Sequence, residues 1–129
     1  MTQNEAVSHW QKRAAAELKG ARALFEQKDP ELYGEVLFHC HLALELGLKA
    51  QYILKKDTAA PFTHDLNELA NLLERNRGQE ESADFEEITN FAILSRYGDE
   101  KWFSTNATVK NAEKWLQKTE KILSDFSPA

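Results

Sequence analysis

Phe38–Leu54 reads FHCHLALELGLKAQYIL, and the fold is decided by how these seventeen residues are periodic. Apolar side chains recur around most of the circumference of a helix, with Cys40, Leu42, Leu44, Leu46, Leu48, Ile53 and Leu54 leaving only one narrow polar strip. That strip is His41, Glu45, Lys49 and Tyr52, spaced four, four and three apart, which at about 100° per residue falls within roughly 80° of arc. Leu32, Val36, Leu37 and Phe38 extend the apolar pattern backwards, so the helix is predicted over Pro30 to Lys55 and is the central, most buried one. Glu45 N-terminal to Lys49 is the favourable order for a helix ion pair. The polar strip therefore has two readings, a solvated face or wet edge of a dimer seam, or a binding or catalytic surface.

Outward from this helix the pattern stays helical. Glu5 to Lys28 carries Val7, Trp10, Ala14, Ala21 and Phe25 at spacings of three, four or seven, flanked by Leu18 and Leu24, before Asp29-Pro30 stops it. KKDTAAPFT (residues 55–63) breaks the central helix, and Asp65 with Glu68 three residues on looks like a capping box opening a short helix to about Arg75. RNRGQEES reads as a loop. Phe85, Ile88, Phe91, Ala92 and Ile93 then restore a helix to about Tyr97. YGDEKWFSTN reads as a second loop, with a cap at Thr105 or Asn106. The last helix has Ala112, Trp115, Leu116, Thr119, Ile122, Leu123 and Phe126 on one side. With no period-2 strand pattern, the expected class is all-α, an antiparallel up-and-down four-helix bundle with one additional short helix, formed by residues 1–129 as a single domain.

Composition agrees. A chain of 129 residues with five Gly, three Pro, 29% charged and 42% hydrophobic residues excludes collagen-like, disordered and disulfide-scaffold classes. A net charge of −5 disfavours bulk electrostatic binding to nucleic acid, so phosphate contact has to come from a local patch. The lone Cys40 has no intramolecular disulfide partner, the N-terminus lacks a secretion-signal pattern, and Glu45 and Lys49 interrupt the longest apolar run; the expectation is a cytoplasmic protein with no membrane span.

Several constellations bear on chemistry. His41 and Glu45 could supply two metal ligands at i and i+4, but no CxxC, HExxH or further cluster completes a set, so no metal is expected. His64 beside Asp65 supports a cap more readily than a dyad. Arg96 falls on the side of its helix that carries Phe85, Thr89 and Ala92, so it is expected to be buried and paired, with Asp99, Glu100, Glu45 or a ligand phosphate as partner, and Tyr97 beside it can stack on a ring. Lys110, Lys114, Lys118 and Lys121 share one face of the last helix, diluted by Glu113, Glu120 and Asp125. No phosphate-binding glycine loop and no nucleophile elbow occurs.

Four of these segments, in this order, resemble the HEPN domain family (higher eukaryotes and prokaryotes nucleotide-binding). They are WQKRAAAELKGARALFEQKD, the E-xxx-KA pattern at Glu45, Lys49 and Ala50, the His-Asp-Leu segment at His64, Asp65 and Leu66, and SRYGDEKW, similar to an Arg-Tyr-Pro-Asp loop with Arg96, Tyr97 and Asp99 in place and Gly98 where Pro is usual. The resemblance implies a homodimeric helical bundle, often paired with a small nucleotidyltransferase as toxin and antitoxin, that handles nucleotide or RNA near the dimer interface. It implies binding residues Glu45, Lys49, His64, Asp65, Arg96 and Tyr97 and no cofactor. Many members are metal-independent ribonucleases that use an Arg followed by a His. Here no His follows His64, and Trp102 stands where a His after Arg96 would fall. The expectation is thus a nucleotide- or RNA-binding component without the usual nuclease motif. The alternatives are a ribonuclease with a rearranged site drawn from His41, His64 and Arg96, and a structural dimerisation or adaptor module.

Overall fold

A computed structural model of the chain describes residues 1–126; Ser127, Pro128 and Ala129, the end of the expected 1–129 unit, lie outside the described residues. Six α-helices and one 3-10 turn make up the described chain, and no strand occurs among these residues. The helices are α1 (Gln3–Glu26), α2 (Tyr33–Lys56), α3 (Leu66–Leu72), α4 (Gln79–Tyr97), α5 (Glu100–Asn106) and α6 (Val109–Ser124).

Local chemistry sets the ends. Thr2 and Glu5 close a reciprocal capping box at the start of α1, Glu5 N–H donating to Thr2 Oγ1 at 3.1 Å and Thr2 N–H to Glu5 Oε1 at 3.2 Å. Asp29 Oδ1 accepts from Glu31 N–H, and Pro30–Leu32 is a 3-10 turn, so α2 begins at Tyr33 rather than at the predicted Pro30. Proline fits that first turn because its missing N–H would have no partner there. Asp65 caps α3 as expected, accepting from the backbone of Asn67 and Glu68. The box does not close, because Glu68 Oε2 instead accepts from the Thr63 hydroxyl. α3 ends at Leu72, three residues before the predicted Arg75.

The larger departure is α5. Residues 97–106 were expected to be a loop, and most of them form a second short helix capped by Asp99, whose Oδ1 accepts from Trp102 N–H at 2.9 Å. Trp102 packs edge-on to Phe91 and Phe103, which holds α5 against the end of α4. The cap of α6 is accordingly Thr108, not Thr105 or Asn106.

α2 is the core of the assembly. α1 lies along it, α4 and α6 pack on its other sides, and α3 bridges α2 and α4. Val36, Leu37, Cys40, Leu44 and Leu48 of α2 are fully buried against Phe85 and Ile88 of α4, Leu66 and Leu69 of α3, and Ala112 and Trp115 of α6. Burial pushes the Cys40 thiol up to about 12 and leaves it an inert core residue. Two of the four α6 lysines are engaged by acidic residues of α4. Lys114 Nζ donates to Glu87 Oε1 at 3.1 Å and Lys118 Nζ to Asp84 Oδ2 at 2.9 Å, pinning α6 to α4.

Candidate functional site

The polar strip of α2 is not a solvated face. His41, Glu45 and Lys49 are 5%, 4% and 9% exposed, which is core-like burial for three polar residues on one helix. Each is therefore obliged to find a partner. Lys49 Nζ donates to Glu45 Oε2 at 3.0 Å, the i,i+4 pair read from the sequence. Glu45 Oε1 lies 2.9 Å from His64 Nδ1. Because a carboxylate only accepts, the His64 ring carries its hydrogen on Nδ1, and in its neutral form Nε2 is the bare, basic nitrogen. The rest of the His64 side chain is exposed.

His41 completes the arrangement from the other side. Its Nε2 lies 2.8 Å from the His64 carbonyl oxygen, which again only accepts, so Nε2–H donates. Burial pulls the His41 pKa below its ordinary value, opposed by that carbonyl and by Glu45, so the ring stays neutral near pH 7. His41 thus fixes the backbone of His64 while Glu45 fixes its ring. His64, expected as cap support, is held through both its backbone and its ring by the central helix.

Arg96 departs from expectation in burial and in partner. Its side chain is 39% exposed, not buried, and it pairs with neither Asp99, Glu100 nor Glu45. Arg96 is in the last turn of α4, and its side chain meets Glu35 in the first turn of α2. Nη1 donates to Glu35 Oε1 at 2.7 Å and Nη2 to Oε2 at 3.2 Å, a two-pronged clasp. The guanidinium carbon stands 3.7 Å from the centre of the Phe38 ring. Asp99 is occupied as the α5 cap. Glu35 escaped the sequence reading, although a signal was present: Glu35, Phe38, Leu42 and Glu45 are spaced three, four and three, one face of α2.

Apart from Glu35 and Lys49, these groups line one cavity of about 620 Å³ between α2, the segment before α3, and α4. Phe38, His41, Leu42 and Glu45 form one wall, Thr63, His64 and Asp65 a second, and Thr89, Asn90, Ala92, Ile93, Arg96 and Tyr97 the third. Six of the seven candidate residues therefore converge. The seventh, Lys49, lines a different cavity of about 430 Å³ with Trp10, Ile53 and Phe62, and touches the first through its bond to Glu45. Tyr97 is 85% exposed at the rim, an aromatic face open to stacking. Among the described residues no group of three or more His, Cys, Asp or Glu is placed to hold a metal ion.

The arrangement is a helical fold with a polar cavity beside its central helix. A family model, the HEPN domain, matches residues 7–127, and the chain belongs to the HEPN domain family. All the segments that carried the resemblance, from Trp10 to Trp102, fall inside the match. No curated protein and no solved structure matches the chain. Among the described residues no helix is long and apolar enough to cross a membrane.

Proposed function

We propose that this HEPN chain binds a nucleotide or RNA ligand in the cavity between α2 and α4, with Arg96 meeting phosphate, Tyr97 stacking on a base, and the His64 edge reading a polar group. The observation that carries the reading is convergence: His41, Glu45, His64, Asp65, Arg96 and Tyr97, from three separate segments, line one cavity. Lys49 and His41 act as positioning residues, and Asp65 sets the turn that presents His64. The same reading takes the chain as a single unit and its four long helices as an up-and-down bundle. It takes the molecule as a cytoplasmic homodimer working beside a small nucleotidyltransferase in a toxin–antitoxin pair. Ile93 and Tyr97, 53% and 85% exposed on α4, give a partner an apolar edge next to the site.

Titration of the purified protein with ATP, GTP and short RNA tests it, with Arg96→Ala as control. Saturable binding that the substitution weakens supports the reading. Absence of binding, or binding indifferent to Arg96, refutes it.

A second reading has an observation of its own. The 2.9 Å Glu45–His64 contact is that of a carboxylate orienting an imidazole, and it leaves Nε2 available as a proton acceptor. A ribonuclease with this rearranged site would cleave RNA in EDTA and leave a cyclic phosphate. Intact RNA after incubation with folded protein removes it.

A further inference from the structure

Among the described residues Arg96 is the one Lys or Arg on the wall of the cavity, which Glu45 and Asp65 also line. Its guanidinium carbon stands 3.7 Å from the centre of the Phe38 ring, which backs the fork with an aromatic face. Both prongs are taken: Glu35 accepts from Nη1 and Nη2 with one oxygen each, the geometry in which a phosphate would be bound. An anion entering from the cavity meets a guanidinium whose fork is already engaged by a carboxylate of the same chain that stands off the cavity wall.

We propose that Glu35 is a built-in occupant of the phosphate position on Arg96, which a ligand phosphate has to displace, and that a phosphate monoester does so more readily than a phosphodiester. The inference rests on the nucleotide reading of the cavity. A diester carries one negative charge, as Glu35 does, and must compete with a carboxylate that is tethered in place. A terminal monoester brings about −1.5 to −2 charge at pH 7 and three acceptor oxygens. The carboxylate is also displaceable. The clasp is half-exposed, both of its hydrogen bonds come from Arg96, and the nearest other basic nitrogen, His39 Nε2, stands off at 3.9 Å. The His39 ring is held from its far side by Glu17, 2.6 Å from Nδ1.

Calorimetric titration with adenosine 5′-monophosphate and its methyl ester isolates the effect, because the two ligands differ by one charge and one methyl group. The wild type is expected to bind the monophosphate several-fold more tightly than the ester. Glu35→Gln, which removes the competing charge and keeps the shape, is expected to tighten both by about fivefold, the scale of a half-exposed ion pair, and to leave the ratio between them unchanged. Glu35→Asp, which keeps the charge and shortens the reach, is expected to fall between the two, and melting curves check that both variants fold. If the wild type binds the monophosphate and Glu35→Gln leaves its affinity unchanged or lower, the occupant role is overturned while the nucleotide reading stands. If neither ligand binds either protein, the nucleotide reading fails and the proposal fails with it.

Discussion

Lys49→Met is the perturbation with the largest consequence that can be worked from the structure. The Lys49 and Glu45 side chains are 11% and 5% exposed, and Nζ and Oε2 are 3.0 Å apart. Removing the ammonium leaves the Glu45 carboxylate in the core with His64 as its remaining partner. Stranding one partner of a buried pair costs about 3–5 kcal/mol, and the surviving His64 bond argues for the lower end. For 129 residues, about 2.1 cal/mol/K per residue gives an unfolding entropy of roughly 0.27 kcal/mol/K, so ~3 kcal/mol lowers Tm by about 11 °C. The double variant Glu45→Leu, Lys49→Met removes both charges and releases only an exposed imidazole, so it should recover to within about 4 °C of the wild type. Thermal melts followed by circular dichroism read both. A single variant within about 3 °C of the wild type, or a double variant no more stable than Lys49→Met, would refute the claim that this pair is a buried, mutually dependent unit.

Two further outcomes follow from neighbouring groups. His41 has a folded-state pKa pulled below its ordinary 6.5, so in mildly acid solution the unfolded chain binds a proton that the folded chain refuses. Stability is therefore complete above 6.5 and falls as pH drops below it, at up to about 1.4 kcal/mol per pH unit; His41→Gln should flatten this slope in urea melts between pH 7 and 5, and an unchanged slope would assign it elsewhere. Gly98→Pro installs the residue usual in the family's loop, yet here Gly98 N–H donates to Leu94 O at 2.7 Å and a Cβ would stand 2.5 Å from that oxygen. The proline should cost ~2 kcal/mol and about 7 °C of Tm, and a neutral substitution would show that the α4–α5 corner relaxes freely.

The helices were legible because each carries a periodic apolar face, and α2 was legible as the central one because its apolar residues run almost all the way round. What periodicity could not supply is which neighbour covers a given face. His41, Glu45 and Lys49 share a strip at helical spacing whether that strip meets water or the chain before α3, and only the placement of His64 over Glu45 decides it. Arg96 failed for a different reason. Its angular position matched Phe85 and Ala92, both buried, but angular position alone does not say whether a neighbouring element covers the helix at that height, and the Arg96 side chain is left 39% exposed. It leaves the helix and pairs 61 residues away. α5 was hidden by Gly98, read as a loop signal, although Asp99 three residues before Trp102 is an ordinary cap spacing.

The acidic balance of the chain takes on a specific meaning at the cavity. Glu45 is spent on Lys49 and His64, Asp65 on the α3 cap, and Glu35 on Arg96. None of these carboxylates is idle, and each fixes a group that faces, or stands next to, the same space. The Glu45 clasp is buried and cannot open without exposing a stranded charge, so it sets the position of His64 rigidly. The Glu35 clasp is half-exposed and held from one side only, so it opens at small cost. A site with one fixed and one yielding carboxylate separates orientation from admission. Substitutions at Glu45 or Lys49 should therefore register first in stability, and substitutions at Glu35 first in how tightly anions are bound.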